Sequence, residues 1–304
     1  MKKKLICTIS ILVLAAALCS GCSTAPFKIT DSFASYYAKN KEEVGSDLKG
    51  MASDLAVLSD SEATDPNYQS NDYADLLIND STNEVLESYH CFDRLYPASI
   101  TKVMTALLTL EHGNMDDEIT LKHDINLTEN GAVISTLTKG DTVTVGQVFH
   151  TMLIKSANDC AVILAEYVAG SESKFIDMMN AKAKELGATH THFVNPNGLH
   201  DNNHYTTAYD LYLIFKEAVK YDTFVDTVSS KDYTMTYTTP KKTQINEYMQ
   251  STNYYLLNEF PVPEGVVMYG GKTGTTSMAK SCLILMTKNK LYSSMSQLLE
   301  KTAN

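Results

Sequence analysis

Three short strings carry the side chains whose types and spacing could do chemistry: Ser99-Ile100-Thr101-Lys102, Ser156-Ala157-Asn158 and Lys272-Thr273-Gly274. A serine hydroxyl is a poor nucleophile at neutral pH and needs a base that is itself neutral and within hydrogen-bonding distance. Lys102 can be that base. Three residues along a helix bring it onto the face of Ser99, and burial or a neighbouring cation lowers a lysine's pKa. A helix start also favours the negative charge that develops on an attacking oxygen. Lys272 offers both the neighbouring cation and an anion clamp. Each string alone has a blander reading. Ser99 and Lys102 could be a helix start with a solvated lysine, Ser156 and Asn158 ordinary caps, and Lys272 the solvated residue of a β-turn. Their joint occurrence, in this order, points to acyl-serine chemistry.

The elements that must position these residues can be read from periodicity. Ala74 to Asn79 and Val85 to Cys91 are strand-like runs separated by Asp80 to Asn83, which predicts a β-hairpin. Pro97 ends the extended stretch. Ile100, Val103, Met104, Leu107 and Leu108 then follow the spacing of a buried helix that stops at Gly113, with Ser99 in its first turn. Helices are expected at Val145 to Leu153, Asp159 to Ala169, Lys174 to Leu186 and Ala208 to Tyr221, forming a mostly helical block over about residues 100–222. Beyond Phe224 the pattern turns strand-like at Tyr233 to Thr238, Val266 to Tyr269, Thr273 to Ser277 and Ser281 to Thr287, and an amphipathic helix is expected over Leu291 to Lys301. The fold class is α/β. Gly270-Gly271 let the backbone near Lys272 approach a neighbour closely, and Thr273, Gly274 and Thr275 offer hydroxyls and N–H groups to a peptide added as one more strand.

The ends and the composition set the surroundings. Lys2, Lys3 and Lys4 precede an apolar run from Leu5 to Leu18, the pattern of an export signal. The run ends in Cys19-Ser20-Gly21-Cys22, which resembles a lipoprotein signal with Cys22 as the lipidated first residue, so residues 1–22 are expected to be removed or anchored there. Residues 23–70 read as a polar tether with a short helix near Lys41 to Leu58, and 71–304 as the catalytic unit. The formal charge of −11 becomes about −14 once the three lysines are lost, which argues against a nucleic-acid partner and leaves membrane attachment to the lipid. Cys91, Cys160 and Cys282 cannot all pair and are expected to be free.

With those residues in view, PASITKVMTALL, GQVFHTMLIKSANDCAVILAEYVAGS, FVNPNGLHDNNHYTTAYDL and GGKTGTTSMAKSCL resemble the serine D-Ala-D-Ala carboxypeptidases, the low-molecular-mass penicillin-binding proteins. The likeness runs from about Tyr73 to the C-terminus. It implies a β-lactamase/transpeptidase-like fold, an antiparallel sheet flanked by helices. It also implies Ser99 as acylated nucleophile, Lys102 as general base and Ser156 as proton relay. Asn158 would hold the substrate amide, Lys272 and Thr273 the terminal carboxylate, and the N–H groups of Ser99 and Thr275 the oxyanion, with Gly274 among the substrate-binding residues. The implied substrate is a peptidoglycan stem peptide, with β-lactams as covalent inhibitors, at the outer face of a bacterial membrane, with no metal and no cofactor.

One departure stands out. Only Lys288, Asn289 and Lys290 separate the strand ending at Thr287 from the expected closing helix, so the sequence reads as one sheet strand short near its C-terminus, and the family's separate C-terminal β-domain has no counterpart. That motivates a catalytically silent peptidoglycan- or β-lactam-binding lipoprotein as an alternative. A serine β-lactamase is a weaker one, because the nearest likeness to the glutamate motif it needs, Tyr254-Tyr255-Leu256-Leu257-Asn258, has tyrosine at the acid's position. His190, His192, His200 and His204 raise a zinc site as a minor competitor.

Overall fold

Two hydrophobic periods divide the described chain into two kinds of layer, and the strings at Ser99, Ser156 and Lys272 lie where they meet. The computed structural model describes Leu55, Ala56, Leu58, residues 73–127, Glu129, residues 131–289 and the backbone of residues 293–300. The expected export signal, Cys22 and nearly all of the tether lie outside these residues.

Strand β1 (Ala74–Asn79) pairs with β2 (Glu84–Tyr89) as an antiparallel hairpin, as its composition predicts. A 3-10 turn (Ala98–Thr101) leads into α1 (Lys102–His112), where every residue from Lys102 to Thr109 is buried. Short strands β3 (Glu118–Thr120) and β4 (Thr142–Thr144) follow. Helix α2 (Val145–Ile154) starts at Thr144, whose side chain accepts the Gln147 N–H. Helix α3 (Asn158–Ala169) ends on Gly170 in the left-handed conformation, and α4 (Glu172–Glu185) is capped by Ser171. Thr207 caps α5 (Ala208–Ala218), and the short α6 (Asp222–Val228) closes the helical block. Strands β5 (Asp232–Thr238), β6 (Gln244–Gln250), β7 (Val266–Thr276), β8 (Lys280–Asn289) and β9 (Ser293–Glu300) complete the order.

One sheet has the order β2-β1-β9-β8-β7, antiparallel throughout, and the other β3-β4-β5-β6. Phe149, Phe175, Phe193, Phe215 and Phe224 are fully buried, and each such ring contributes about 1.5–3 kcal/mol to holding the helices together. Strand β7 is the sheet's edge, and its free side faces the 3-10 turn that carries Ser99.

The C-terminal segment departs from expectation. Residues predicted as a closing helix form β9, which pairs with β1 from Ala74↔Leu299 to Asn79↔Ser294 and with β8 from Ser281↔Glu300 to Lys288↔Ser293. The strand inferred to be missing is therefore present at the centre of the sheet. The physical reason is that β1 and β8 each offer a row of backbone donors and acceptors that only a strand between them can satisfy. Satisfying two edges outweighs a local apolar pattern of helical period. Strand β7 is continuous where two shorter strands were expected, and β6, β3, β4 and α6 had no clear sequence signal.

Ala56 lies inside the expected 23–70 tether but is fully buried: its N–H donates to the Tyr212 hydroxyl at 3.1 Å, and the Tyr209 hydroxyl donates to the Ala56 carbonyl at 3.0 Å. Leu55, Ala56 and Leu58 are not helical, so the helix expected near Lys41 to Leu58 does not reach them. Among the described residues no helix is long and apolar enough to cross a membrane.

Candidate active site

Ser99 sits in the 3-10 turn between Pro97 and α1. Ala98 is held there with φ +46°. That left-handed backbone is costly for a residue with a Cβ, and two contacts fix it. Thr101 Oγ1 donates to the Ala98 carbonyl at 2.8 Å, and Gly198 packs so closely that a Cβ there would stand 1.9 Å from the same oxygen. Behind the turn His204 Nδ1 accepts the Val194 N–H, so its Nε2 carries the proton toward Thr101 Oγ1, 2.8 Å away. Burial lowers the His204 pKa to about 4, which keeps this support neutral.

Lys102 is fully buried, with Nζ 2.8 Å from Ser99 Oγ, 2.8 Å from Asn158 Oδ1 and 2.6 Å from the Asn197 carbonyl. Its pKa lies well below the ordinary lysine value, chiefly from burial and next from the charge of Lys272. A neutral amine has two hydrogens and one lone pair. Two of the three neighbours, Asn158 Oδ1 and the Asn197 carbonyl, are pure acceptors and take the hydrogens. The lone pair is left for the Ser99 hydroxyl.

Ser156 has φ +63° and is 8% exposed, so its turn too is locked by its surroundings. Lys272 Nζ donates to Ser156 Oγ at 2.9 Å and to the Thr273 carbonyl at 2.7 Å, and burial brings its pKa down to about 7. Thr273 Oγ1 lies 2.5 Å from Thr252 Oγ1. A Cβ at Gly274 would lie 2.8 Å from the Ser99 backbone nitrogen and 3.1 Å from Ala98 Cβ, so β7 reaches the Ser99 turn only because residue 274 has no side chain. Thr275, one residue on, is exposed at the cleft edge. The three strings thus converge, with Ser99, Lys102 and Asn158 linked in one chain of contacts and Ser156 joined to Lys272.

Several supporting residues escaped the sequence reading. The Val133 carbonyl accepts from both the Asn158 N–H (2.8 Å) and Asn158 Nδ2 (3.0 Å), which turns Oδ1 toward Lys102. Asp159 accepts the N–H of Ser135 at 2.9 Å and its hydroxyl at 2.5 Å. Glu247 on β6 accepts the N–H and hydroxyl of Thr136 and pairs with Lys155 beside Ser156. Asn197 acts through its main chain, which no side-chain pattern announces. The NPNGL stretch and the aspartate after Asn158 were visible signals, whereas Glu247 lies on a strand with no clear pattern.

Of the histidines considered for zinc, three have other ring contacts: the His192 ring meets the Asn203 carbonyl, His200 packs on Tyr96 and His204 supports Thr101, while His190 reaches Asp210 through its main-chain N–H. Tyr254 is half exposed against Phe260. Cys91, Cys160 and Cys282 are buried and free, and burial pushes the Cys160 thiol up and that of Cys282 to about 12.

A sequence model described as D-alanyl-D-alanine carboxypeptidase matches residues 60–301. The chain is 35% identical over 217 residues to D-alanyl-D-alanine carboxypeptidase DacF of Bacillus subtilis (strain 168), covering 70% of this chain and 53% of that protein. It is 31% identical over 218 residues to a D-alanyl-D-alanine carboxypeptidase of Streptomyces sp. (strain K15), covering 68% of this chain and 73% of the relative. The crystal structure of the Streptomyces K15 DD-transpeptidase superposes with a TM-score of 0.71 at 27% identity, over 78% of this chain and 92% of that one. The chain spans about half the length of the first relatives it matches, 53% of the Bacillus protein and 50% of Escherichia coli (strain K12) DacC.

Proposed function

The chain belongs to the D-alanyl-D-alanine carboxypeptidase family, and from that premise we propose that it removes the terminal D-alanine of peptidoglycan stem peptides through an acyl-enzyme on Ser99. The observation that carries this reading is the contact of Lys102 Nζ with Ser99 Oγ at 2.8 Å, on a lysine whose pKa burial lowers.

In this mechanism the substrate lies along β7 with its carboxylate at Lys272 and Thr273. Lys102 takes the Ser99 proton as the oxygen attacks the carbonyl between the two D-alanines. The negative oxygen that forms is met by the N–H groups of Ser99 and Thr275, each such donor being worth about 3 kcal/mol. Asn158 holds the substrate amide and orients Lys102. Ser156, bonded to Lys272, relays to the departing amine the proton that Lys102 took up, so D-alanine leaves and Lys102 is neutral again. Water then attacks the ester, Lys102 takes its proton and returns it to the Ser99 oxygen as the ester bond breaks. A penicillin acylates the same serine. We assign the catalytic unit to residues 71–304, with Lys272, Thr273, Gly274 and Thr275 as its substrate-binding edge. We also propose that Cys22 carries a lipid that anchors this unit at the outer face of the bacterial membrane. The motive for a silent binding module was a missing strand, and β9 fills that place.

The test is to mix the protein with a penicillin, weigh it intact, and assay D-alanine release from a stem-peptide mimic. A lasting adduct and release of D-alanine are expected, and Ser99→Ala should show neither. An unchanged adduct in that variant overturns the assignment of the nucleophile. A Cys22→Ser variant should leave the membrane fraction; retention there overturns the anchor.

A further inference from the structure

The small sheet β3-β4-β5-β6 carries none of the three strings, yet it is bonded to the helical wall of the cleft. Gln147 of α2 accepts the Thr236 N–H of β5 at 2.8 Å, and just beyond β6 the Thr252 N–H donates to the Ile154 carbonyl at 3.3 Å. Glu247 lies on β6 opposite Met235 of β5, with its side chain 11% exposed. Its Oε2 accepts the Thr136 N–H at 3.0 Å and the Thr136 hydroxyl at 2.6 Å, and its Oε1 takes the ammonium of Lys155. Burial alone would raise the pKa of this acid, but the hydrogen bonds from Lys155 and Thr136 outweigh burial and hold it below the usual carboxylate range.

These contacts close a circuit. Lys155 leads directly into Ser156, Ala157 and Asn158, and Asp159 then takes the N–H and hydroxyl of Ser135. Thr136 follows Ser135 in the chain and returns to Glu247. Inside the circuit Ser156 has φ +63°, a left-handed backbone that a residue with a Cβ keeps only when its surroundings impose it. Asn158 has a separate hold, because its N–H and Nδ2 both donate to the Val133 carbonyl. Opening the circuit at Glu247 therefore loosens Ser156 before it loosens Asn158, and in the proposed mechanism Ser156 hands the proton to the departing amine.

We propose that Glu247 is a positioning residue for the proton relay: it joins Lys155 to Thr136 and so keeps Ser156 aimed at the nitrogen of the leaving group. It acts through these neighbours and not on the attack by Ser99. The inference rests on the acyl-enzyme reading of Ser99 and on Ser156 as the relay. It adds an acid on the second sheet whose loss is felt when the leaving group needs a proton.

An amine departs once its nitrogen is protonated, whereas a thiolate departs without a proton. The experiment therefore measures kcat/KM in the parent and in Glu247→Gln for two substrates with the same acyl part and the same terminal carboxylate. One is an acylated D-alanyl-D-alanine, and the other is the thioester with sulfur in place of the scissile nitrogen. Glutamine keeps the size of the side chain but turns an amide NH₂ toward Lys155 or Thr136, which opens the circuit. The peptide rate should fall by about tenfold, part of the 10² to 10⁴ that a positioned proton donor contributes, while the thioester rate stays within about twofold. A thioester rate that falls with the peptide rate overturns the proposal, since Glu247 would then be holding Ser99, the carboxylate site or the fold. An unchanged peptide rate overturns it as well. Lys155→Met opens the same circuit from its other side and carries the test if Glu247→Gln does not fold. It should give the same split, and a parent-like peptide rate in it overturns the proposal. A parent that turns over neither substrate and forms no adduct at Ser99 with a penicillin sinks the carboxypeptidase reading itself, a result distinct from the others.

Discussion

The two walls of the cleft are built in different ways. The helical wall, bearing Lys102, Ser156 and Asn158, is fixed by short polar contacts: Val133 to Asn158, Asp159 to Ser135, and Glu247 to Thr136 and Lys155. The sheet wall, bearing Lys272 to Thr275, is fixed by pairing of β7 with β8, of β8 with β9, and by one close approach at Gly274. Both walls end in a buried lysine whose pKa is lowered, yet Lys102 has three polar neighbours of its own while Lys272 reaches across to Ser156. A wall held by side chains tolerates the loss of one contact. A wall held by backbone register moves as a unit.

The sharpest way to test this division is to remove the group on which both walls converge. Lys102→Met keeps the length of the buried chain and removes the proposed base, so acylation of Ser99 by a penicillin, followed by stopped-flow or intact mass, should slow by about 10³ to 10⁴-fold, the upper range for general-base catalysis. The Met variant should stay folded, because it replaces a buried amine by an apolar group of similar shape. Acylation within tenfold of the parent would mean that another group takes the proton.

The next effect belongs to the sheet wall. Gly274→Ala inserts a methyl 2.8 Å from the Ser99 nitrogen and 3.1 Å from the Ile100 nitrogen, both main-chain atoms that cannot swing aside. Strand β7 has to retreat, and a displacement of about 1 Å at a reacting centre costs on the order of 10²-fold. The measurement is kcat/KM for D-alanine release alongside the thermal midpoint. A large loss of rate at nearly unchanged stability supports the comparison, and unchanged rate breaks it.

The same contrast explains how far the sequence could be read. Ser99 and Lys102 were legible because three residues of helix bring them together, and the apolar spacing from Ile100 to Leu108 announces that helix. The hairpin and the helices α2, α3, α4 and α5 were legible for the same local reason, with caps at Thr144, Ser171 and Thr207 acting within a few residues. Strand β9 was not legible, because what makes Ser293–Glu300 a strand is the pair of edges offered by β1, more than two hundred positions earlier in the chain, and by β8. Glu247 and the carbonyls of Val133 and Asn197 were hidden likewise. Their partners are distant in the chain, and a main-chain oxygen leaves no mark on residue type.

On the helical wall one contact can be removed with the rest in place. Asp159→Ala leaves the Ser135 N–H and hydroxyl without their acceptor, and hydrogen bonds to a charged group contribute about 1.5–3 kcal/mol. Urea unfolding should show a loss of about 2 kcal/mol. Penicillin acylation of the folded protein should fall less than in Gly274→Ala, since Val133 still meets Asn158. A larger kinetic loss than that of Gly274→Ala would reverse the ranking of the two walls.

The smallest effect separates the two lysines by pH. Burial lowers Lys272 to about 7, so the proposed clamp is charged below that value and loses its charge as pH rises through it. The charge of Lys272 is in turn one of the causes, after burial, that hold Lys102 low. For a substrate with a free carboxylate, kcat/KM should therefore fall on the alkaline side as Lys272 deprotonates, by about tenfold at one pH unit above its pKa. The acid side should fall where Lys102 gains a proton. Lys272→Arg keeps a cation at every pH in this range, and its absolute rate will be lower because a guanidinium is bulkier than the amine it replaces. Normalised to its own maximum, its profile should lose the alkaline fall and keep the acid one, because a permanent charge still depresses Lys102. If the alkaline fall persists unchanged in Lys272→Arg, the titrating group is elsewhere, and the charge of the sheet wall is not what holds the carboxylate.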